Sequence, residues 1–134
     1  LKLINREEEL FTWLQENVYP DLLICRNPLS RWDCYSPARK HRIELKCRKK
    51  HYPELLVEKK KYDAVLAECV KHEDIPVYIN STPEGIYAFD MRTHDGIWEF
   101  RNMPKTTEFA SRHFITKEVG YFYVKKGHIL LKFS

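Results

Sequence analysis

No run of seventeen consecutive apolar residues occurs anywhere in the chain, which removes a membrane-spanning helix from consideration. The first residues carry no signal-peptide pattern, so a cytoplasmic protein is expected. Repeats, low-complexity tracts and long linkers are also missing, which excludes a repeat array or a string of small domains. The four cysteines, Cys25, Cys34, Cys47 and Cys69, include no Cys-x-x-Cys pair. Each lies among apolar neighbours, so reduced thiols acting as small apolar side chains are expected rather than disulfides or a zinc finger. The six histidines are scattered, with no two at the i, i+4 spacing that would hold zinc on one helix face. No recognition helix stands out either.

What remains is ordinary globular material. The 134 residues are 43% hydrophobic and 31% charged, enough for one core and one domain spanning residues 1–134. The net charge of +4 is modest, but its distribution is uneven. Arg39, Lys40, Arg42, Lys46, Arg48, Lys49 and Lys50 crowd into one stretch in which Glu44 is the single acid, and Lys59, Lys60 and Lys61 follow soon after. Such crowding attracts a polyanion, and Arg39, Lys40, Arg42, Arg48, Lys49 and Lys50 are the candidate nucleic-acid contacts.

Periodicity supplies the elements. Asn5 with Glu8 three residues later forms a capping-box pattern, and Leu10, Phe11 and Leu14 follow at helical spacing. On that helix Glu7 falls on the apolar stripe while Glu8 and Glu9 can face water, and a carboxylate so placed requires a partner. Short strands are expected at 22–25, 31–35 and 42–47, the last two joined around Pro37-Ala38-Arg39-Lys40. Pro53 opens a second helix over 55–72, on which Tyr62, Val65, Leu66, Cys69 and Val70 share a face. Strands at 75–80 and 85–90 bracket a Pro83-Glu84-Gly85 turn, and strands at 121–124 and 128–133 read as a terminal hairpin. Packing against a twisted sheet is the commoner role for the late aromatics Trp98, Phe100, Tyr121, Phe122 and Tyr123, with base stacking the alternative. The residues from Arg101 to Thr107 read as an irregular polar segment. The order describes one α/β domain built around a mixed sheet.

The chemistry concentrates in the second hairpin. Residues two apart on a strand point the same way, so Glu44 and Lys46 share a face while Ile43, Leu45 and Cys47 form the other. If the hairpin is symmetric about Ala38-Arg39, position 33 pairs with position 44, which brings Asp33 beside Glu44. Neighbouring strands lie about 4.8 Å apart, and two carboxylates at that spacing repel unless a positive charge sits between them. Mg²⁺ prefers oxygen ligands and takes one or two carboxylates plus water and phosphate, with Mn²⁺ a natural substitute. Asp33 and Glu44 would hold it, the Leu45 carbonyl is a further candidate ligand, and Lys46 could assist an attacking water or neutralise phosphate charge. A second acid-x-Lys tripeptide, Glu58-Lys59-Lys60, falls in the expected helix, where that spacing does not share a face.

Asp33 followed by Glu44-Leu45-Lys46, set between a helix carrying an inward acid and a second helix, resembles the PD-(D/E)XK nuclease superfamily with its restriction-endonuclease-like fold. The resemblance spans roughly residues 6–90. It implies an αβββαβ core, to which the terminal hairpin would be an addition, and metal-dependent cleavage of DNA. It implies Asp33 and Glu44 as metal ligands, Lys46 as the catalytic lysine, and Glu7 as the acid some branches carry on the first helix. Lys61, followed by Tyr62, matches the Lys or Gln of the second helix, whereas Glu58 departs from the Gln of one branch. Trp32 stands where a proline usually precedes the first acid. The compact size brings small phage-encoded nucleases to mind, which would act in the host cell.

Two other functions compete. A non-catalytic nucleic-acid-binding module would use the same basic face, but it gives no reason for acids to converge there. A structural subunit would carry the hairpin charges only as salt bridges. For an enzyme cutting both strands of duplex DNA, a homodimer with two sites is the simplest assembly.

Overall fold

The computed structural model describes residues 4–25, 34–104 and 114–133. Its spine is a mixed six-stranded sheet of β1 (Leu23–Ile24), β2 (Cys34–Ser36), β3 (His41–Cys47), β5 (Ile75–Thr82), β6 (Gly85–Asp90) and β9 (His128–Lys132), in spatial order β1-β2-β3-β5-β6-β9. Only β3 and β5 run parallel; the other neighbours are antiparallel. A parallel pair needs a long crossover. Here it is supplied by β4 (Glu54–Glu58) and helix α2 (Lys59–His72). Strand β4 belongs to a second, three-stranded antiparallel sheet with β8 (Phe114–Tyr123) and β7 (Glu99–Pro104), in the order β4-β8-β7.

Each face of the large sheet has its own core. Helix α1 (Glu7–Asn17) lays Leu10 and Leu14 on Ile43, Leu45, Val77 and Ile79. The opposite face packs Tyr78, Tyr87 and Phe89 against Leu55 and Val57 of β4, Val65 and Cys69 of α2, and Phe122 of β8. Each large aliphatic side chain so buried contributes about 1.5–3 kcal/mol. Cys34 and Cys69 lie inside these cores, where burial pushes the Cys69 thiol up to about 11.

The first helix begins one residue later than the capping pattern suggests. Its N-cap is Arg6, with no side-chain cap bond, and the Leu10 amide closes on the Arg6 carbonyl. Arg6 turns to Glu9 at 3.2 Å, and Glu9 is half-buried while Glu7 and Glu8 are exposed. Helical side chains lean toward the N-terminus. Glu7 opens the helix, has no turn before it to lie on, and so leaves the apolar stripe.

The segment expected to start the second helix is a strand. In β4 the burial of Glu54–Glu58 alternates, with Leu55 and Val57 inward. A short apolar run does not separate strand from helix by periodicity, and pairing with β8 decides it. Helix α2 starts only at Lys59, and Val70 is 81% exposed rather than part of the inward face formed by Val65 and Cys69. The polar stretch from Arg101 is in its first part strand β7, continuing to Pro104; residues 105–107 lie outside the described residues.

The terminal hairpin is replaced by a change of sheet. Strand β8 pairs with β4 and β7, whereas β9 pairs with β6 in the large sheet. The chain crosses through a 3₁₀ turn at Val124–Lys126, after which Gly127 lies so close to the Phe89 ring that a Cβ there would sit 2.7 Å from it. That contact ties the crossing to the second core. Phe122, 3% exposed, packs 5.2 Å from Phe89 and 5.8 Å from Tyr78, so this aromatic serves the core, while Phe100 stays exposed. Among the described residues no helix is long and apolar enough to cross a membrane.

Candidate active site

Strand β3 is the axis of the site. Parallel pairing sets Glu44 beside Tyr78 and Lys46 beside Asn80, so these four side chains share the face opposite α1. The alternate residues Ile43, Leu45 and Cys47 face α1, with Ile43 and Leu45 fully within its core and Cys47 packed at its edge. Strand alternation thereby delivers a carboxylate and an amine to the floor of a cleft of about 320 Å³. Glu44 and Lys46 come from β3 and Arg48 from the residue just past its end, Glu58 and Lys61 from the junction of β4 with α2, and Met103, Pro104 and Lys117 from the β7–β8 arm.

Glu44 is 7% exposed, and the Lys61 ammonium donates a hydrogen bond of 3.0 Å to its Oε1. A carboxylate so enclosed needs a positive partner, and the second helix provides one. The Lys46 amine is drawn below the ordinary lysine value, first by burial and then by the like charges of Arg48 and Lys61, while Glu7 and Glu58 pull the other way. Glu7 is therefore exposed at the end of α1 yet near enough for its charge to act on Lys46.

The described pairs of β2 and β3 are Cys34 with Ile43, Tyr35 with Arg42 and Ser36 with His41. This is the register the symmetric turn predicts. Asp33 itself lies outside the described residues, as do Arg31 and Trp32. Among the described residues no group of three His, Cys, Asp or Glu side chains could hold a metal. Leu45, a candidate carbonyl ligand, pairs with Ile79 and buries its side chain against α1.

The basic run does not form one patch. Arg42 forms an ion pair with the buried Asp74 and lies 4.6 Å over the Tyr35 ring. Arg48 donates to Asn80 Oδ1 at 2.7 Å, the Leu56 carbonyl at 2.6 Å and the Tyr78 hydroxyl at 3.1 Å. It thus pins the large sheet to β4. Arg39 and Lys40 occupy the β2–β3 turn, which Asp21 braces by accepting from the Ala38 amide at 2.7 Å and the Ser36 hydroxyl at 2.9 Å. Lys49 and Lys50 are exposed past the other end of β3. At about 3.3 Å per residue the two ends of that strand are roughly 20 Å apart.

Sequence reading missed several residues in the cleft and beneath it. Tyr78 donates to the Leu56 carbonyl at 2.9 Å, and burial pushes its hydroxyl up to about 12. Asn80 is fully buried, and among the described residues its Nδ2 has no hydrogen-bond partner. Glu58, which the helical reading sets aside, closes β4 and forms a 3.0 Å ion pair with Lys117 of β8. Tyr78 and Asn80 could have been placed on one face by alternation, but their alignment with Glu44 and Lys46 depends on a parallel register that no local signal encodes.

No protein-family model and no curated protein matches the chain. Among solved structures it is similar to Hjc, a Holliday junction resolvase from the archaeal hyperthermophile Archaeoglobus fulgidus, with a TM-score of 0.60 and 11% identity over 92% of this chain and 93% of that one. The shared architecture is the restriction-endonuclease-like fold, a mixed central sheet flanked by helices.

Proposed function

We propose that the chain is a metal-dependent nuclease hydrolysing DNA phosphodiester bonds, with Glu44 and Lys46 of β3 as its chemical centre and Lys61 of α2 as their neighbour. The observation that carries this reading is the sheltered Glu44 carboxylate with the Lys61 ammonium 3.0 Å away and Lys46 on the same strand face. The ammonium stands where a cation is needed, and a hard divalent ion such as Mg²⁺ or Mn²⁺ suits the same oxygen. Glu44 would hold it, with Asp33 and the Leu45 carbonyl as the further ligands proposed from the sequence. When bound, such an ion polarises the phosphoryl oxygen and makes its water more acidic.

The chain's own groups do the rest. Lys46, with its proton loosened by burial and by Arg48 and Lys61, can take a proton from the attacking water or donate a hydrogen bond to the phosphate oxygen gaining charge. Glu7 restrains that loosening by its opposite charge. Lys61, whose side chain is largely open to the cleft, would be placed to meet the phosphate. Tyr78, Asn80 and Arg48 keep β3, β5 and β4 in register beneath these groups.

A non-catalytic binding module is less well supported, because Arg42 and Arg48 are engaged inside the protein and an acid in the cleft repels phosphate. Hjc is named as a Holliday junction resolvase, so branched DNA belongs among the substrates tested, and a homodimer presenting two sites would suit it. The test is incubation of the purified protein with plasmid, single-stranded DNA and a four-way junction, in Mg²⁺ or Mn²⁺ and in EDTA. Cleavage is expected only with metal and is expected to vanish in Glu44→Ala and Lys46→Ala; equal cutting by either variant removes the assignment.

A further inference from the structure

The arm formed by β7 and β8 reaches the cleft through one charged side chain. Register pairs Glu58, the last residue of β4, with Val119 of β8. Beyond Val119 toward Phe114, β8 keeps β7 on one side but no longer has β4 on the other, because the chain has turned into α2. Lys117 is two residues along, so it points to the same face of the sheet as the buried Val119. The Lys117 Nζ meets Glu58 Oε1 at 3.0 Å, with both side chains sheltered at 16% and 26% exposure. It lines the same cleft as Glu44, Lys46 and Lys61.

We propose that Lys117 is a substrate-binding residue of this cleft, and that Glu58 is the resting partner it exchanges for a DNA phosphate. This rests on the nuclease reading above. Among the described residues the cleft holds Lys46, Arg48, Lys61 and Lys117 against two carboxylates, Glu44 and Glu58, an excess of positive charge suited to a phosphodiester. Arg48 is engaged with Asn80, Tyr78 and the Leu56 carbonyl. Lys61 and Lys117 each rest on a cleft carboxylate. A lysine is a flexible point charge, so a change of partner from carboxylate to phosphate needs only a side-chain rotation. The arm thereby becomes the wall of the site opposite β3.

The alternative is that Lys117 merely neutralises Glu58, and one variant separates the two. Glu58→Gln/Lys117→Met removes one charge of each sign and leaves the long-range field of the cleft unchanged. Binding of a fluorescein-labelled duplex and a labelled four-way junction is read by anisotropy across a salt series in EDTA, where no cleavage is needed. If Lys117 passes to phosphate, the double variant binds more weakly and its log Kd against log salt slope falls by about 0.9 on duplex DNA. In Mg²⁺ it raises KM. Lys117→Arg, which keeps the charge, retains the slope of the parent and guards against loss through misfolding. A double variant with the slope and affinity of the parent overturns the proposal and leaves the nuclease reading standing. A parent protein that binds neither DNA overturns both.

Discussion

The two faces of β3 share one backbone and do opposite things. Toward α1, Ile43 and Leu45 lie in a dry aliphatic core with Leu10, Leu14 and Ile79. Toward α2, Glu44 and Lys46 sit in a charged cleft closed by Lys61, Glu58 and Lys117. The apolar face holds the strand in place, and the polar face depends on that rigidity, since Lys46 keeps its loosened proton only while burial is enforced around it. The lesson is that stability and chemistry are separable by single-residue steps along one strand.

The largest effect that would sharpen this contrast is on activity. On the proposed nuclease reading, Glu44→Gln should lower cleavage by about 100-fold or more, because several kcal/mol of metal-supplied stabilisation would be lost. Its urea midpoint should move little, since the amide still accepts from Lys61. One position back, Ile43→Ala should cost about 2–5 kcal/mol of stability, read by urea unfolding, while the folded fraction cleaves at the rate of the parent. If Ile43→Ala abolishes the specific activity of folded protein, the separation of faces fails.

Arg48→Ala comes next. It leaves the Leu56 carbonyl, the Tyr78 hydroxyl and Asn80 Oδ1 without their shared donor, and should cost about 1–3 kcal/mol in the same unfolding measurement. A change confined to DNA affinity would mean that Arg48 acts on the substrate rather than as a pin between sheets.

The smallest effect concerns the pH dependence of stability at Lys46. Folding lowers the value of this amine below 10.5, so the unfolded chain binds more protons there and stability rises with pH between the folded value and 10.5. The penalty is fully present below that window and fades through it. Lys46→Met should therefore be more stable than the parent at neutral pH, with an advantage that shrinks as pH climbs toward 10.5. Parallel stability–pH curves for the two proteins would contradict the burial argument.

Much of the site was legible because alternation along a strand is a local property. Glu44 and Lys46 had to share a face once 42–47 was extended, and the symmetric turn predicted the pairs that β2 and β3 display. Strand β6 matched at both ends, and β5 ran two residues further than expected. The errors share a cause as well. Residues 55–58 read as helix from the sequence because a short apolar run has no period of its own, and β8 supplies the missing partner. The last two strands read as a hairpin because a short loop joins them, yet each pairs in a different sheet. Spacing alone places Glu7 inward, but the first residue of a helix has no preceding turn to cover it.

By itself the sequence determined an α/β chain, the polar and apolar sides of β3, and the identity of the acid and amine offered to a cleft. These follow from interactions between residues a few positions apart. The tertiary structure alone decided that β3 and β5 run parallel, that Lys61 meets Glu44, that Arg42 and Arg48 turn inward, and that Lys117 reaches Glu58 from an arm 59 positions away in sequence. Those contacts join segments whose proximity is set by the burial of two whole cores, a sum over many side chains that no local pattern carries.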